Sequence, residues 1–91
     1  MEIKEIEKKF RSKLDSYENK WDSDSRILHL VEEVGEFAEV ILQYKGIKQP
    51  PKNLYDIKVA LADIVDDVYA ISVLNNITLE DLTTEILKQD E

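Results

Sequence analysis

Apolar residues recur every three or four positions in several segments of the chain. In the first segment these positions are Ile3, Ile6, Phe10, Leu14 and Tyr17. This spacing is typical of one face of an α-helix, so it predicts an amphipathic first helix. A polar segment follows, and its Asp-Ser-Asp-Ser cluster at 22–25 offers several N-caps for a second helix. We expect that second helix to run from about Arg26 to Tyr44.

Two more helices are predicted beyond Pro50-Pro51, which interrupts the periodic pattern. The third is expected from about Leu54 to Leu74, where two asparagines end it. The fourth is short, with Thr78 as its N-cap and Asp81 completing a capping box. The sequence contains no strand pair with turn chemistry and no internal repeat. The pattern therefore predicts an all-α bundle of about four helices.

The length of the chain limits what it can bury alone. Ninety-one residues make one domain, which we assign to residues 1–91, and a chain of this size buries only a modest core. Yet 43% of the residues are hydrophobic, and the second and third helices are apolar on more than one side. Helices of that kind need more neighbours than this chain supplies. We therefore expect a homo-oligomer with a shared helical core, most simply a dimer.

Charge and composition narrow the classes of function. Twelve basic and 20 acidic residues give a net charge of -8, which disfavours binding to a nucleic acid polymer or to an anionic membrane. A nucleotide substrate remains compatible, because a bound metal ion reverses the local charge. Cysteine is absent, so thiol chemistry is excluded. Residues 1–10 are charged throughout and no apolar run approaches a membrane span, so we expect a cytoplasmic protein.

The strongest candidate for chemistry is an acidic motif inside the second predicted helix. Residues 32–39 read Glu-Glu-Val-Gly-Glu-Phe-Ala-Glu, which places four carboxylates in an otherwise apolar run. Glu33 and Glu36 lie about 60° apart on one helix face. Carboxylate oxygens are the ligands that Mg²⁺ prefers, and the ion keeps water molecules that substrate phosphates can replace. The alternative is a solvated helix face without a ligand.

A second acidic cluster lies in the third predicted helix. It consists of Asp63, Asp66 and Asp67, and Asp67 lies about 40° from Asp63 on the same face. Asp66 is about 60° away on the other side, as expected for a surface or interface position. Apolar residues surround Asp63, and a buried carboxylate requires a partner. Two acidic faces on apolar helices together predict a divalent-metal site between the helices.

Two further residues admit both a functional and a structural interpretation. His29 precedes Glu33 by one turn, and such a pair can bind zinc or iron, but we favour the interpretation as a hydrogen-bonded or half-buried histidine. Trp21 lies in a polar segment, where it could stack on a base or pack over the ends of the helices.

The two acidic motifs resemble those of a known family. Residues 30–39, Leu-Val-Glu-Glu-Val-Gly-Glu-Phe-Ala-Glu, resemble the Glu-Glu-x-x-Glu motif of the MazG-type all-α nucleoside triphosphate pyrophosphohydrolases. Residues 61–65, Leu-Ala-Asp-Ile-Val, resemble the end of the family's second motif, Glu-x-x-Asp. The turn and short helix at 75–81 are also similar, and the resemblance covers roughly residues 21–87. The chain departs from the second motif at Ala60, where the family has a Glu ligand.

The resemblance implies a function and a set of site residues. It implies a dimer or a dimer of dimers that uses Mg²⁺, or Mn²⁺ in its place, to cleave a nucleoside triphosphate into the monophosphate and pyrophosphate. By resemblance the metal ligands are Glu33, Glu36 and Asp63, and Glu32 supports them. Trp21 is similar to the base-contacting tryptophan of members that cleave deoxycytidine triphosphate. If catalysis survives, an oxygen must occupy the missing ligand's place, and we expect Asp67 as that fourth ligand, with Asp56 in reserve.

Two other functions remain open at this point. Because Ala60 removes one of four ligands, the chain could instead be a family member without catalysis that acts as a nucleotide-binding or oligomeric interaction module. The third hypothesis is a carboxylate-bridged metalloprotein that uses His29 together with the glutamates of the first motif.

Overall fold

A computed structural model of the chain describes residues 2–16 and 22–88. Four α-helices make up most of these two ranges: α1 (Ile3–Asp15), α2 (Ser23–Tyr44), α3 (Leu54–Leu74) and α4 (Leu79–Lys88). Residues 2–16 and 22–88 contain no β-strand, so the all-α prediction is confirmed. Across the same ranges, no helix has both the length and the apolar character that crossing a membrane requires. Tyr17 and Trp21 lie outside the described residues.

The predicted helix boundaries agree with the structure except at the start of α2. This helix begins three residues before the predicted position, since the side chain of Asp22 accepts a hydrogen bond of 2.8 Å from the backbone N–H of Ser25. The predicted bounds of α3 and the N-cap of α4 are confirmed. Thr78 and Asp81 form the expected capping box, with two hydrogen bonds of 3.0 Å.

Helices α2 and α3 form an antiparallel hairpin that is the centre of the molecule. At the end of α2, Gly46 adopts a φ of 77°, and the N–H of Ile47 donates to the carbonyl of Leu42 at 2.9 Å. This is the Schellman arrangement, which needs a residue that tolerates positive φ. At the start of α3, Asn53 and Asp56 form a capping box with bonds of 3.1 and 2.9 Å. The two caps fix where each helix ends, and hence which of their residues face each other.

Helices α1 and α4 pack against one another and α1 also contacts α3. The rings of Phe10 and Tyr69 have centroids 4.2 Å apart, and Lys13 forms an ion pair of 3.3 Å with Asp66. The backbone N–H of Leu79, at the start of α4, donates to the carboxylate of Glu7. These contacts place α1 and α4 next to the second half of α3, away from the acidic motif of α2.

The apolar core of the single chain is small. Within residues 2–16 and 22–88, the buried apolar residues are Ala60, Ala70 and Leu79. The accessible surface is 6947 Å², whereas a compact protein of this mass exposes about 5,500 Å². The radius of gyration is 15.2 Å, compared with about 12 Å for a compact domain of this length. Much apolar surface on α2 and α3 is therefore uncovered in the isolated chain.

Candidate functional site

A pocket between α2 and α3 brings the three principal predicted ligands together. Glu33 and Glu36 line it from α2, and Asp63 lines it from α3. The pocket has a volume of about 470 Å³. The antiparallel packing of the two helices creates this meeting, because the middle of each helix passes the middle of the other. Glu33 and Glu36 were predicted to share one face of the helix. In the structure, both line the pocket from the side of α2 that faces α3.

The same pocket wall includes the position at which the second motif departs from the family pattern. Ala60 lies on this wall and is 8% exposed, with Asp56 one turn before it and Asp63 one turn after it. Asp56 is a fourth carboxylate in the lining, although its Oδ2 also accepts the 2.9 Å hydrogen bond of the α3 cap. The reserve ligand of the sequence analysis therefore lies at the pocket.

Two residues without an acidic side chain complete the polar lining. Lys52 precedes α3 and is partly buried. Among the residues that line this pocket, it is the one with a basic side chain. Tyr55 lines the pocket from the first turn of α3, with 67% of its surface exposed. The sequence offered several lysines of similar appearance in this region. Only the folded chain distinguishes Lys52 from the others.

The electrostatics of the pocket favour the arrival of a cation. Glu33 is 9% exposed, and its burial raises the pKa of its carboxyl group. The negative charges of Glu36 and Asp63 raise this pKa further. Glu36 and Asp63 themselves are exposed, so the partner expected for a buried Asp63 is not required in the isolated chain. A donor set made entirely of carboxylate oxygens fits Mg²⁺ or Mn²⁺.

Asp67 is placed differently from the other predicted ligands. It is 1% exposed and is not among the residues that line the pocket. Its Oδ1 accepts a hydrogen bond of 3.2 Å from Nη1 of Arg26, and its Oδ2 lies 2.7 Å from Nδ1 of His29. The role of Asp67 as a fourth metal ligand stays a prediction. In the structure this carboxylate is neutralised by side chains of α2.

His29 lies between two carboxylates. Its Nε2 is 3.1 Å from Oε1 of Glu33, one turn along α2, while its Nδ1 faces Asp67 on α3. Burial lowers the pKa of His29, but the hydrogen bond and charge of Asp67, together with the charge of Glu33, outweigh this effect and raise it overall. The interpretation of His29 as a hydrogen-bonded, half-buried residue is confirmed.

His29, Glu33 and Asp67 are also close enough to one another to hold a metal ion. One potential ligand atom from each of His29, Glu33 and Asp67 lies within 4.8 Å of the others. The contacts just described, a hydrogen bond to Asp67 and an ion-pair contact with Glu33, account for this proximity without an ion. The carboxylates that line the pocket do not form such a close group among the described residues, so the pocket is a candidate for a divalent metal because of its donor chemistry and not because of the spacing of its oxygens.

Two predicted residues lie away from the pocket or beyond the described chain. Glu32 is exposed and lines a separate shallow depression with Leu28 and His29, so it does not face the other carboxylates. Trp21, the proposed base contact, lies outside the described residues. Sequence reasoning missed Arg26, for which a signal existed: it precedes His29 by three residues and so shares its helix face.

Comparisons with protein-family models, with curated proteins and with solved structures gave no match for this chain. The assignment of a function consequently depends on the geometry of the pocket and on the motif resemblance.

The contrast between Asp67 and its neighbour Asp66 gives a first prediction. Asp67→Asn should lower the free energy of unfolding by about 3 kcal/mol, because it removes the counter-charge of the partly buried Arg26. Asp66→Asn is the matched control: its partner is the half-exposed Lys13, and loss of such a surface pair costs about 1 kcal/mol or less. Urea unfolding in the presence of EDTA measures both. Equal losses for the two variants would contradict the placement of Asp67.

Proposed function

We propose that this protein is a Mg²⁺-dependent pyrophosphohydrolase that cleaves a nucleoside or deoxynucleoside triphosphate to the monophosphate and pyrophosphate. The observation that carries the proposal is the convergence of Glu33, Glu36 and Asp63 on one pocket between α2 and α3. These are the residues at which the chain resembles the two family motifs. The pocket volume of about 470 Å³ lies within the range of roughly 300–1,000 Å³ typical of small-molecule sites.

The carboxylates would hold the metal ion, and Asp56, one turn before Ala60 on the same wall, is a further oxygen donor. A bound Mg²⁺ supplies neutralisation of phosphate oxygens and a lowered pKa for a coordinated water molecule. Placement on two helices keeps the ligands in a fixed arrangement, as loops would not. No nucleophilic side chain is needed, in agreement with the absence of cysteine.

Lys52 and Tyr55 provide recognition of the remaining parts of a nucleotide. The ammonium group of Lys52 is suited to a phosphate oxygen, and a charge-assisted hydrogen bond of this kind also reduces repulsion between the triphosphate and the acidic wall. The exposed ring of Tyr55 at the same pocket offers a surface on which a base can stack. The pocket thus presents carboxylates, a cation and an aromatic ring within one cavity.

The second candidate function is a nucleotide-binding module without catalysis. The observation that favours it is Ala60 on the pocket wall, where a methyl group replaces a ligand carboxylate. Ala60→Glu separates the two functions. An active wild type supports the enzyme, whereas an inactive wild type that gains turnover in Ala60→Glu supports the module.

The proposed activity is tested by pyrophosphate release from a panel of ribo- and deoxyribonucleoside triphosphates with Mg²⁺. Glu36→Gln should reduce kcat/KM by at least about 100-fold, since it removes a ligand that organises the metal and the phosphates. Glu39→Gln is the control on the same helix, because Glu39 pairs with Lys48 at 3.0 Å and does not line the pocket. Wild-type activity in Glu36→Gln would refute the assignment of the metal site.

The role of Lys52 is tested by a change in substrate binding. Lys52→Ala should raise KM for the triphosphate about tenfold, the effect of losing one charged hydrogen bond. Lys58→Ala removes an exposed lysine that does not line the pocket, and it should leave KM within about twofold. If both variants behave alike in steady-state kinetics, Lys52 has no specific role.

We also propose that the protein is a homodimer or a dimer of dimers. Helix α2 carries an exposed stripe, here called the α2 stripe, which repeats with the seven-residue spacing of a helix–helix seam: Leu28, Val31, Gly35, Ala38 and Leu42. Leu28 and Val31 are 68% and 66% exposed. A Cβ atom built on Gly35 would meet no heavy atom within 4 Å. The stripe therefore has room for a second helix, and small residues at its centre permit a close approach.

Light scattering and sedimentation velocity test this assembly. The wild type should have at least twice the 10.6 kDa chain mass, and Val31→Asp should raise the dissociation constant at least about tenfold by placing a charge in the seam. Ile47→Asp is the control, because Ile47 is 70% exposed but lies after α2 and outside the stripe. A folded wild-type monomer at micromolar concentration would exclude the assembly.

A further inference from the structure

A continuous series of polar contacts leads from Arg26 of α2, through Asp67 of α3, to the carboxylate pocket. It begins at Arg26, whose Nη1 donates to Oδ1 of Asp67 at 3.2 Å. It continues from Oδ2 of Asp67 to Nδ1 of His29 at 2.7 Å, and from Nε2 of His29 to Oε1 of Glu33 at 3.1 Å. The last residue lines the pocket, while Asp67 does not. The series therefore leads from a buried charge to a predicted metal ligand.

The contacts of His29 fix the orientation of its ring. An ionised carboxylate can only accept hydrogen bonds, so Nδ1 of His29 carries a hydrogen atom and donates it to Asp67. Asp67 is itself held by Arg26 and is 1% exposed, which leaves it little freedom to move. Rotation of the imidazole would break the contacts at both ring nitrogens. The ring consequently presents Nε2 to Glu33 in a single direction.

The contact with His29 leaves one side of Glu33 available. Its Oε1 is paired with His29, whereas its Oε2 has no hydrogen-bond partner within the described residues. A free glutamate side chain has three rotatable bonds and samples several rotamers. Pairing one oxygen with a fixed ring restricts those rotamers, and Glu33 lines the pocket in this restricted arrangement.

We propose that Asp67 and His29 are positioning residues that orient Glu33 for a divalent cation in the pocket. This inference rests on the proposed function, because it takes Glu33 as a ligand of that cation. It gives Asp67 a part in the site without direct contact with the metal. Residues that contact and orient metal ligands commonly change metal affinity by 10- to 100-fold when they are removed, which sets the size of the expected effect.

Calorimetric titration with Mn²⁺ or Mg²⁺ in the absence of nucleotide tests the inference without reference to activity. His29→Ala should weaken metal binding about 10- to 100-fold. In a Glu33→Gln background the same replacement should change the remaining affinity by less than about twofold, because Glu33 is the residue through which His29 acts. Urea unfolding in EDTA establishes separately that each variant is folded.

Two amide variants separate positioning from a merely structural contribution. The amide of His29→Asn occupies the side of the ring that faces Asp67, and that of His29→Gln can reach toward Glu33. If His29 positions Glu33, metal affinity should recover more in His29→Gln, while resistance to urea should recover more in His29→Asn. These variants also replace His29→Ala in the titration if the alanine variant does not fold.

The outcomes distinguish the inference from the function on which it rests. A wild type that binds neither cation would overturn both. A wild type that binds the cation, with His29→Ala, His29→Gln and His29→Asn of equal affinity, would overturn the positioning role alone. Metal affinity that follows unfolding stability in every variant would also overturn it, since the contribution of His29 would then be structural.

Discussion

The close packing of α2 against α3 is the contact on which the other features of the molecule depend. At one place Ala60 of α3 is 8% exposed and lies on the pocket wall opposite Glu33 and Val40 of α2. Seven residues of helix, about 10 Å, separate Ala60 from Asp67, which contacts Arg26 and His29 of α2. The two helices therefore stay close over this length, with the carboxylate pocket around Ala60 and the polar contacts around Asp67. Any change in the packing of α2 on α3 would alter both places at once.

The two places differ in how their negative charge is balanced. Around Asp67, the carboxylate is removed from water but contacts Arg26 and His29 of the facing helix. A buried carboxylate without such partners would be very unfavourable, so this network also opposes any shift in helix register. Around Ala60, several carboxylates converge and Lys52 is the basic residue of the lining. The excess negative charge there is what an external cation would balance, consistent with the net charge of -8.

Helical periodicity predicted the fold and much of the candidate site. It located α3, the capping box at Thr78 and the common face of Glu33 and Glu36, because these features depend on residues close in the sequence. It could not predict the partner of Asp67. The helical angle placed Asp67 near Asp63, but four residues along a helix correspond to about 6 Å, which is enough to move a side chain from the pocket to Arg26. The position of Lys52 at the pocket could not be predicted either, because it depends on how the segment before α3 is folded.

The uncovered apolar surface of the single chain lies on other faces of the two helices than the carboxylate pocket. Asp63 is exposed, and so are Leu61 and Val65, at 45% and 46%. Each of these apolar residues is two positions from Asp63, or about 200° around a helix, so both lie on the face of α3 opposite to the carboxylate. The α2 stripe is likewise turned away from Glu33, since Val31 and Gly35 are each two positions from it. A second copy packed on these apolar faces would bury them and leave the pocket accessible. Assembly and metal binding would then use the same two helices through different faces, so that a change in one face need not disturb the other.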